Sequence, residues 1–321
     1  MNRSKISICV STFNHENYIG DCIASIIEQD AGADIDIEIL VGNDCSTDGT
    51  AQIIDAFMQR CSGRIRHIHQ EVNIGPFENL KSLVREAQGN FVAHLDGDDF
   101  WQPGKLKAQL RFLLDHPECT ACYTNAWVVN DDLSPLGVFN NELPSTFNLP
   151  FLLVQGNFLN HSSILYRAEH KDCVLNCPEF FIDYRVHIAL AKRGTLGYLN
   201  APYVTYRHAS SQSMVKLSNQ KVRVLYLQAL IDAFDNQALD DVYDEVMQDF
   251  VARIVKDGAS LGSLSFLVFW FKKLRQDLKR AKFKIFTLGL LRGLSRIVHA
   301  VLRKLSLILK LCSGIRVINE R

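Results

Sequence analysis

The 321-residue sequence is 47% hydrophobic and carries 35 Lys and Arg against 35 Asp and Glu. That length and apolar content exclude a disordered chain, and nine scattered cysteines exclude a disulfide-dense secreted scaffold. The neutral total hides a split: from residue 271 onward there are 14 basic residues against Asp277 and Glu320, which leaves 21 basic against 33 acidic before it. An acidic front and a basic tail predict two parts with different neighbours.

Residues 6–11 are a short apolar run of strand formers, with no charged leader or signal-peptide core ahead of them, so a cytoplasmic setting with reduced thiols is expected. Residues 18–29 then place Ile19, Cys22, Ile23, Ile26 and Ile27 at helical spacing. The strand-then-helix unit recurs, with strands at 37–41, 65–68 and 91–95 and helices at 51–60 and 77–87. Alternation of this kind predicts an α/β fold with a Rossmann-like, mostly parallel sheet flanked by helices. Past residue 100 the pattern is less regular: a helix at 105–116, a strand at Cys119–Val129, an extended segment at 201–208, and amphipathic helices at 222–234 and 242–255. We expect a catalytic domain over 1–215 and a helical C-terminal region over 216–321. The pairs Cys119/Cys122 and Cys173/Cys177 have zinc-like proximity, but the first falls in a buried strand and the second is loosely spaced, so core cysteine is the expected reading.

Three polar segments follow the predicted parallel strands, at 12–17, 43–50 and 96–99. The carboxyl ends of parallel strands share one sheet edge, so these segments are expected to assemble one pocket. Asp96, Asp98 and Asp99 lie within four residues. Carboxylates that close repel one another unless they are exposed, protonated or neutralised by a cation, and hard oxygen ligands suit Mg²⁺ or Mn²⁺. A solvated Asp-Gly turn is the alternative. In the second segment Asp48 or Thr50 caps the following helix, whereas Asp44, at the strand end, is placed to accept hydrogen bonds from a base or ribose. Ser11, Phe13 and Asn14 in the first segment offer backbone amides and an aromatic ring to the same ligand.

Taken together, Val10-Ser11-Thr12-Phe13-Asn14, Asn43-Asp44-Cys45-Ser46-Thr47-Asp48-Gly49-Thr50, Asn73-Ile74-Gly75 with Asn79, and Leu95-Asp96-Gly97-Asp98-Asp99-Phe100-Trp101 resemble the family 2 glycosyltransferases, which have the GT-A fold. The resemblance runs from residue 6 to about residue 213. It implies that the first motif and Asp44 hold the nucleotide, that Asp96 and Asp98, with Asp99 adjacent, position a divalent metal and the donor sugar, and that an acidic residue heading a later helix is the general base. Phe180-Phe181-Ile182-Asp183-Tyr184-Arg185-Val186 looks like that stretch and nominates Asp183. Many relatives carry two acidic residues there, and here Ile182 precedes Asp183. Phe13 stands where tyrosine is common, Cys45 where glycine is common, and Pro76, Phe77 and Glu78 where many relatives have an arginine. Asn160-His161-Ser162-Ser163 and Tyr206-Arg207-His208 resemble acceptor-side and pocket-closing segments, making His161, Arg207 and His208 candidates there.

The expected activity is therefore inverting transfer from a nucleotide sugar, a UDP-hexose or UDP-N-acetylhexosamine, to a hydroxyl of a glycan or lipid-linked acceptor in cell-surface polysaccharide synthesis. Two rivals are weighed. A sugar nucleotidyltransferase usually has a glycine-rich basic loop after its first strand, and residues 12–17 contain no Gly, Lys or Arg. A glycan-binding protein without turnover would have a broken metal motif, and Asp96, Asp98 and Asp99 are intact.

In the tail, residues 282–311 set Arg292, Arg296, His299, Arg303, Ser306 and Lys310 on one helical row and Leu290, Leu294, Ile297, Val301, Leu305 and Ile308 on another. A basic amphipathic helix suits the surface of an anionic membrane, and predicts a peripheral protein at the inner face of the cell membrane. Packing on the acidic domain is the alternative. Nucleic acid is not expected, since aromatics for base stacking are sparse after Phe286.

Overall fold

In β1 (Ser4–Thr12) Ile6, Ser7, Ile8, Cys9 and Val10 are all fully buried, the signature of a central strand covered on both faces. The structure, a computed structural model, describes residues 4–30, 32, 35–61, 63–208, 219–234, 239–277, 283–309 and 316–317. After β1 come α1 (Ile19–Ile27), β2 (Ile35–Asn43), α2 (Thr50–Arg60), β3 (Ile65–His69), α3 (Pro76–Glu86) and β4 (Phe91–Asp96), each within a few residues of its expected span. The four strands lie in the order β3-β2-β1-β4, all parallel. Ile6, Ile8, Val10, Ile39, Val41, Ala93 and Leu95 fill one core with Ile19, Ile23 and Ile26 of α1.

The chain continues through β5 (Phe100–Trp101), α4 (Lys105–Asp115), β6 (Cys119–Val129), β7 (Pro135–Val138), β8 (Thr146–Phe147), α5 (Leu149–Gln155), β9 (Leu165–Arg167), α6 (Asp172–Leu175), α7 (Asp183–Ala191) and β10 (Thr195–Arg207). The unbroken run of parallel neighbours ends at β4. Its far neighbour is the three-residue β9, antiparallel both to β4 and to β6, while β10 runs parallel to β6 and antiparallel to β5 and β8. Cys119, Cys122, Cys173 and Cys177 are buried free thiols, and burial pushes the last two up to about 11.

The remaining elements are α8 (Asn219–Ala233), α9 (Asp240–Leu261), α10 (Leu264–Asp277), α11 (Phe283–Leu309) and a short β11 (Arg316–Val317). Two compact units result, one of Met1–Leu149, Phe158–Tyr226 and Ile315–Arg321, the other of Pro150–Asn157 and Leu227–Gly314. The boundary expected at 215/216 lies outside the described residues, as do positions 282, 310 and 311 of the expected basic helix.

Within the helical unit α11 approaches α9 closely because two glycines clear the way. A Cβ at Gly289 would sit 2.6 Å from Val251 Cβ, and one at Gly293 2.7 Å from Val255 Cβ, so a side chain at either position would force the helices apart. Beside them Arg296 of α11 and Arg253 of α9 both bind the carboxylate of Asp249. Trp270 of α10 is fully buried against Phe250, with ring centroids 5.7 Å apart.

Candidate active site

The strand register brings the three polar segments together. Thr12 is level with Asn43 and Ser11 with Asp96, so the ends of β2, β1 and β4 form adjacent rungs. Two consecutive carbonyls of β1 then hold the loops on either side: Thr12 O accepts Asp44 N–H at 3.0 Å and Ser11 O accepts Gly97 N–H at 2.8 Å. The first and second loops are also tied to each other. Asn14, whose φ of 54° lies in the left-handed region that Asn tolerates, donates its N–H to Ser46 Oγ at 2.9 Å, and its Oδ1 accepts Thr47 N–H at 2.9 Å. His15 N–H donates to Thr50 Oγ1, Glu16 N–H to Asp48 Oδ2, and Gly49 N–H to Glu16 Oε2. Burial would raise the Asp48 carboxyl, but bonds from Thr50 and Glu16 outweigh it and hold it below the usual range. Asn14 thus joins two loops, while Ser11 keeps a buried hydroxyl with no protein partner.

Asp44 is buried at the end of β2, and its two carboxylate oxygens accept Ile74 N–H at 2.8 Å and Gly75 N–H at 2.9 Å. Gly75 has a φ of 84°, a conformation that glycine adopts without strain, and Asp44 clamps the Asn73-Ile74-Gly75 segment there just before α3 begins. Asn79 in α3 donates from Nδ2 to Gly42 O at 2.8 Å, which locks α3 to β2.

On the other side, residues 96–99 form a tight turn, with Asp99 N–H on Asp96 O at 3.0 Å. No side chain fits at Gly97, where a Cβ would lie 2.7 Å from Thr12 Oγ1 and 2.8 Å from His15 Nδ1. Asp99, fully buried, accepts Ser162 Oγ–H at 2.6 Å on one oxygen and Arg207 N–H at 3.1 Å on the other. The Ser162 hydroxyl in turn accepts Asp96 N–H at 3.2 Å, and Ser162 O accepts Trp101 Nε1–H at 2.8 Å. Burial first, then the charges of Asp98 and Asp96, hold the Asp99 carboxyl well above the usual carboxylate range. Asp96 is pushed up to about 7 by burial, with Asp98 and Asp183 adding to it and His161 opposing.

Arg207, at the end of β10, is a buried tie. Its guanidinium donates to Asp98 O at 2.6 Å and to the Asp21 carboxylate of α1 at 2.8 Å, and lies 5.0 Å from the ring centres of both Tyr18 and Phe100. His208 follows it, exposed, with its N–H on Val129 O.

Asp183 is the first residue of α7, where the helix dipole favours an anion. The segment leading to it is clamped by α3. Lys81 Nζ reaches Cys177 O at 2.8 Å and Pro178 O at 3.3 Å, and the Phe77 ring packs on Phe181 with centroids 4.8 Å apart. Residues that stand in place of the family's arginine therefore position the run into Asp183. Burial first, and then the charges of Asp99, Asp98, Asp96 and Asp183, raise the Tyr206 phenol above its ordinary range.

His161 sits in a short 3₁₀ turn, in a buried row in which its Nε2 meets His94 Nδ1 at 3.0 Å and His94 Nε2 meets Tyr166 OH at 3.2 Å. Burial, with His161 nearby, holds His94 and His187 well below the ordinary imidazole range and therefore neutral. The residues that sequence reasoning passed over are Ser162, Asp21, Phe77 and Lys81. Only Ser162 had a signal, as the neighbour of His161 in a polar quartet after an apolar run.

A family model for glycosyl transferase family 2 matches residues 7–173, more than half of the chain and all four motif loops. The chain belongs to glycosyltransferase family 2. Among curated relatives, the putative teichuronic acid biosynthesis glycosyltransferase TuaG of Bacillus subtilis is 31% identical over 134 residues, 42% of this chain and 51% of TuaG. The chain spans little more than half the length of the curated relatives it matches. Its fold is GT-A: the Staphylococcus aureus TarS 1–349 structure in complex with UDP-GlcNAc superposes with a TM-score of 0.65 at 20% identity, over 94% of this chain and 92% of that one. A mannosyltransferase from Pyrobaculum calidifontis, solved with GDP-Man and Mn²⁺, gives a TM-score of 0.54 at 16% identity, covering 93% and 88%.

Proposed function

We propose that this family member moves a hexose or N-acetylhexosamine, with inversion, from a UDP-sugar to a hydroxyl of a glycan or lipid-linked acceptor in cell-surface polysaccharide synthesis. The observation that carries the reading is that two consecutive carbonyls of β1 hold the Asp44 loop on one side and the aspartate turn on the other, with the first and second loops laced together at the same strand ends. TarS, crystallised with UDP-GlcNAc, supports the choice of donor class.

Beside the carboxylates, Ser11 Oγ, Thr12 Oγ1, Asn43 Nδ2 and His15 Nδ1 are buried polar atoms without a protein partner, as expected where a polar ligand supplies the missing bonds. The residues fit a divalent cation. Asp96 and Asp98 are the carboxylates to hold it, since both oxygens of Asp99 already accept hydrogen bonds, and that makes Asp99 a positioning residue for the turn. Among the described residues no group of three or more His, Cys, Asp or Glu is arranged to hold a metal ion; a cation on Asp96 and Asp98 would take its further ligands from a diphosphate. When bound, the metal would neutralise the charge that develops on the departing diphosphate.

The protein's own residues do the rest. Ser11, Phe13 and the Asp44-clamped turn frame the nucleotide, Arg207 fixes the Asp98 backbone, and Ser162 fixes Asp99. Asp183 accepts the proton of the attacking acceptor hydroxyl, giving inversion in a single displacement; such base catalysis is worth about 10²- to 10⁴-fold. His161 and His208 stand on the acceptor side in this proposal. A lipid-linked acceptor requires the enzyme at the inner face of the cell membrane, as a peripheral protein.

The test is UDP release from a panel of UDP-sugars with and without Mn²⁺. Manganese-dependent release that chelator abolishes is expected. A chain that binds UDP yet releases none with any donor and acceptor extract would instead be a binding protein on this fold.

A further inference from the structure

Two residues of the expected apolar row, Leu290 and Leu294, are exposed, while Arg296 of the expected basic row turns inward. Gly289, Gly293 and Arg296 face α9, so the opposite side of α11 presents Leu290, Leu291, Leu294 and Val298 to solvent. Leu291 and Val298 are each 56% exposed and Leu294 49%. The neighbouring α10 adds Val268, Phe269 and Phe271, all exposed, and the Phe271 ring lies 6.5 Å from that of Phe286, which joins that edge of α10 to α11. Exposed Lys272 and Arg292 flank them. Large apolar side chains gathered like this mark an interaction surface rather than ordinary exposure.

We infer that the exposed apolar side chains of α10 and α11, led by Leu291, Leu294 and Val298 with Phe269 and Phe271 at the two edges of α10, seat the helical unit on an anionic lipid surface. Charge decides the occupant. From residue 271 onward there are 14 basic residues against two acidic ones, so a second copy of the same face would be repelled while an anionic leaflet would be attracted. Among the described residues no helix is long and apolar enough to cross a membrane, so contact is parallel to the surface, apolar groups dipping between headgroups and basic groups lying against phosphates. The apolar side chains thus take the lipid-facing role, and Arg296 serves the helix pair through Asp249 instead. This assigns to named residues the membrane contact that a lipid-linked acceptor calls for. It stands apart from the donor reading, because vesicle binding and UDP release are measured separately.

The experiment is co-sedimentation of the full chain with vesicles of phosphatidylcholine alone or of phosphatidylcholine mixed with phosphatidylglycerol, in low and high salt. Two double variants, Leu291→Glu with Leu294→Glu and Phe269→Ser with Phe271→Ser, alter exposed positions on different helices, and their melting curves are recorded alongside. The expected result is binding to the anionic vesicles that salt weakens, and a loss of at least about tenfold in partition for both variants, with unchanged melting and UDP release. Full partition by either variant overturns the inference, as does equal binding to neutral vesicles. A wild-type dimer that the variants convert to monomer, without vesicle binding by either form, overturns it in favour of a second copy.

Discussion

The two units treat their special residues in opposite ways. In the sheet unit, polar side chains with a chemical use are buried and held: Asp44 by two amides, Asp99 by Ser162 and Arg207, and Arg207 itself between two rings. In the helical unit, the residues with a proposed use are apolar and left in water, and the charged trio of Asp249, Arg253 and Arg296 is structural. A reaction site needs fixed polar atoms with a few bonds unfilled, because preorganised dipoles need not reorient when charge develops. A lipid-facing surface needs no such precision. The contrast implies that small changes in the first unit cost rate, whereas in the second they cost partition or stability.

The largest effect that would break this contrast is at Asp183. Asp183→Asn keeps the size of the side chain and its place at the start of α7 while removing the proton acceptor, so turnover should fall about 10²- to 10⁴-fold with UDP affinity retained by calorimetry. A variant with near-normal turnover would move the base elsewhere and leave Asp183 as a helix-start residue.

Next is Gly97. A methyl group there meets Thr12 Oγ1 at 2.7 Å and His15 Nδ1 at 2.8 Å, and both belong to the first loop, so Gly97→Ala must displace either that loop or the aspartate turn. Misplacement of about 1 Å at a reacting centre costs on the order of 100-fold, so kcat should drop by about 10- to 100-fold while the melting temperature moves little. A loss confined to melting temperature would show the turn to be structural only.

These sites differ in how plainly the sequence announced them. Strands and helices up to residue 96 were readable because β1, β2 and β4 each contain an apolar run, the mixed β3 falls where the strand–helix alternation calls for a strand, and each helix carries its apolar residues on one side. The meeting of three loops followed from parallel topology alone. Past β4 the helix at 105–115, the strand at 119–129 and the end of β10 were still readable, but β9 was not, for a physical reason: it has three residues, too few to show a period, yet it pairs with both β4 and β6 and follows the turn that places Ser162 against Asp99. Lys81 and Phe77 were invisible as a clamp because their partners, Cys177, Pro178 and Phe181, are about a hundred residues away and join them only through tertiary packing. The tail was half legible. Its two helical rows were evident, but which row faces the protein depended on Gly289 and Gly293 meeting Val251 and Val255, a matter of shape and not of charge.

The smallest effect lies at Asp249. Burial would raise its carboxyl, but Arg253 and Arg296 outweigh burial and hold it below the ordinary value of 3.8. A carboxyl that binds its proton less readily when folded than when unfolded stabilises the fold above the unfolded value, and that contribution disappears as pH falls through the depressed one. Asp249→Asn removes the charge at every pH, so at pH 7 it should cost about 1–3 kcal/mol, the range for hydrogen bonds to charged groups left without a partner. Thermal melts of the two chains should therefore differ by several degrees at pH 7, and the difference should close only as pH falls through the depressed folded-state value, where the wild-type carboxyl is protonated too. UDP release at pH 7 should match in both, since Asp249 belongs to the unit that carries no chemistry. A variant with equal melting and reduced turnover would reverse that assignment and erase the division of labour between the two regions.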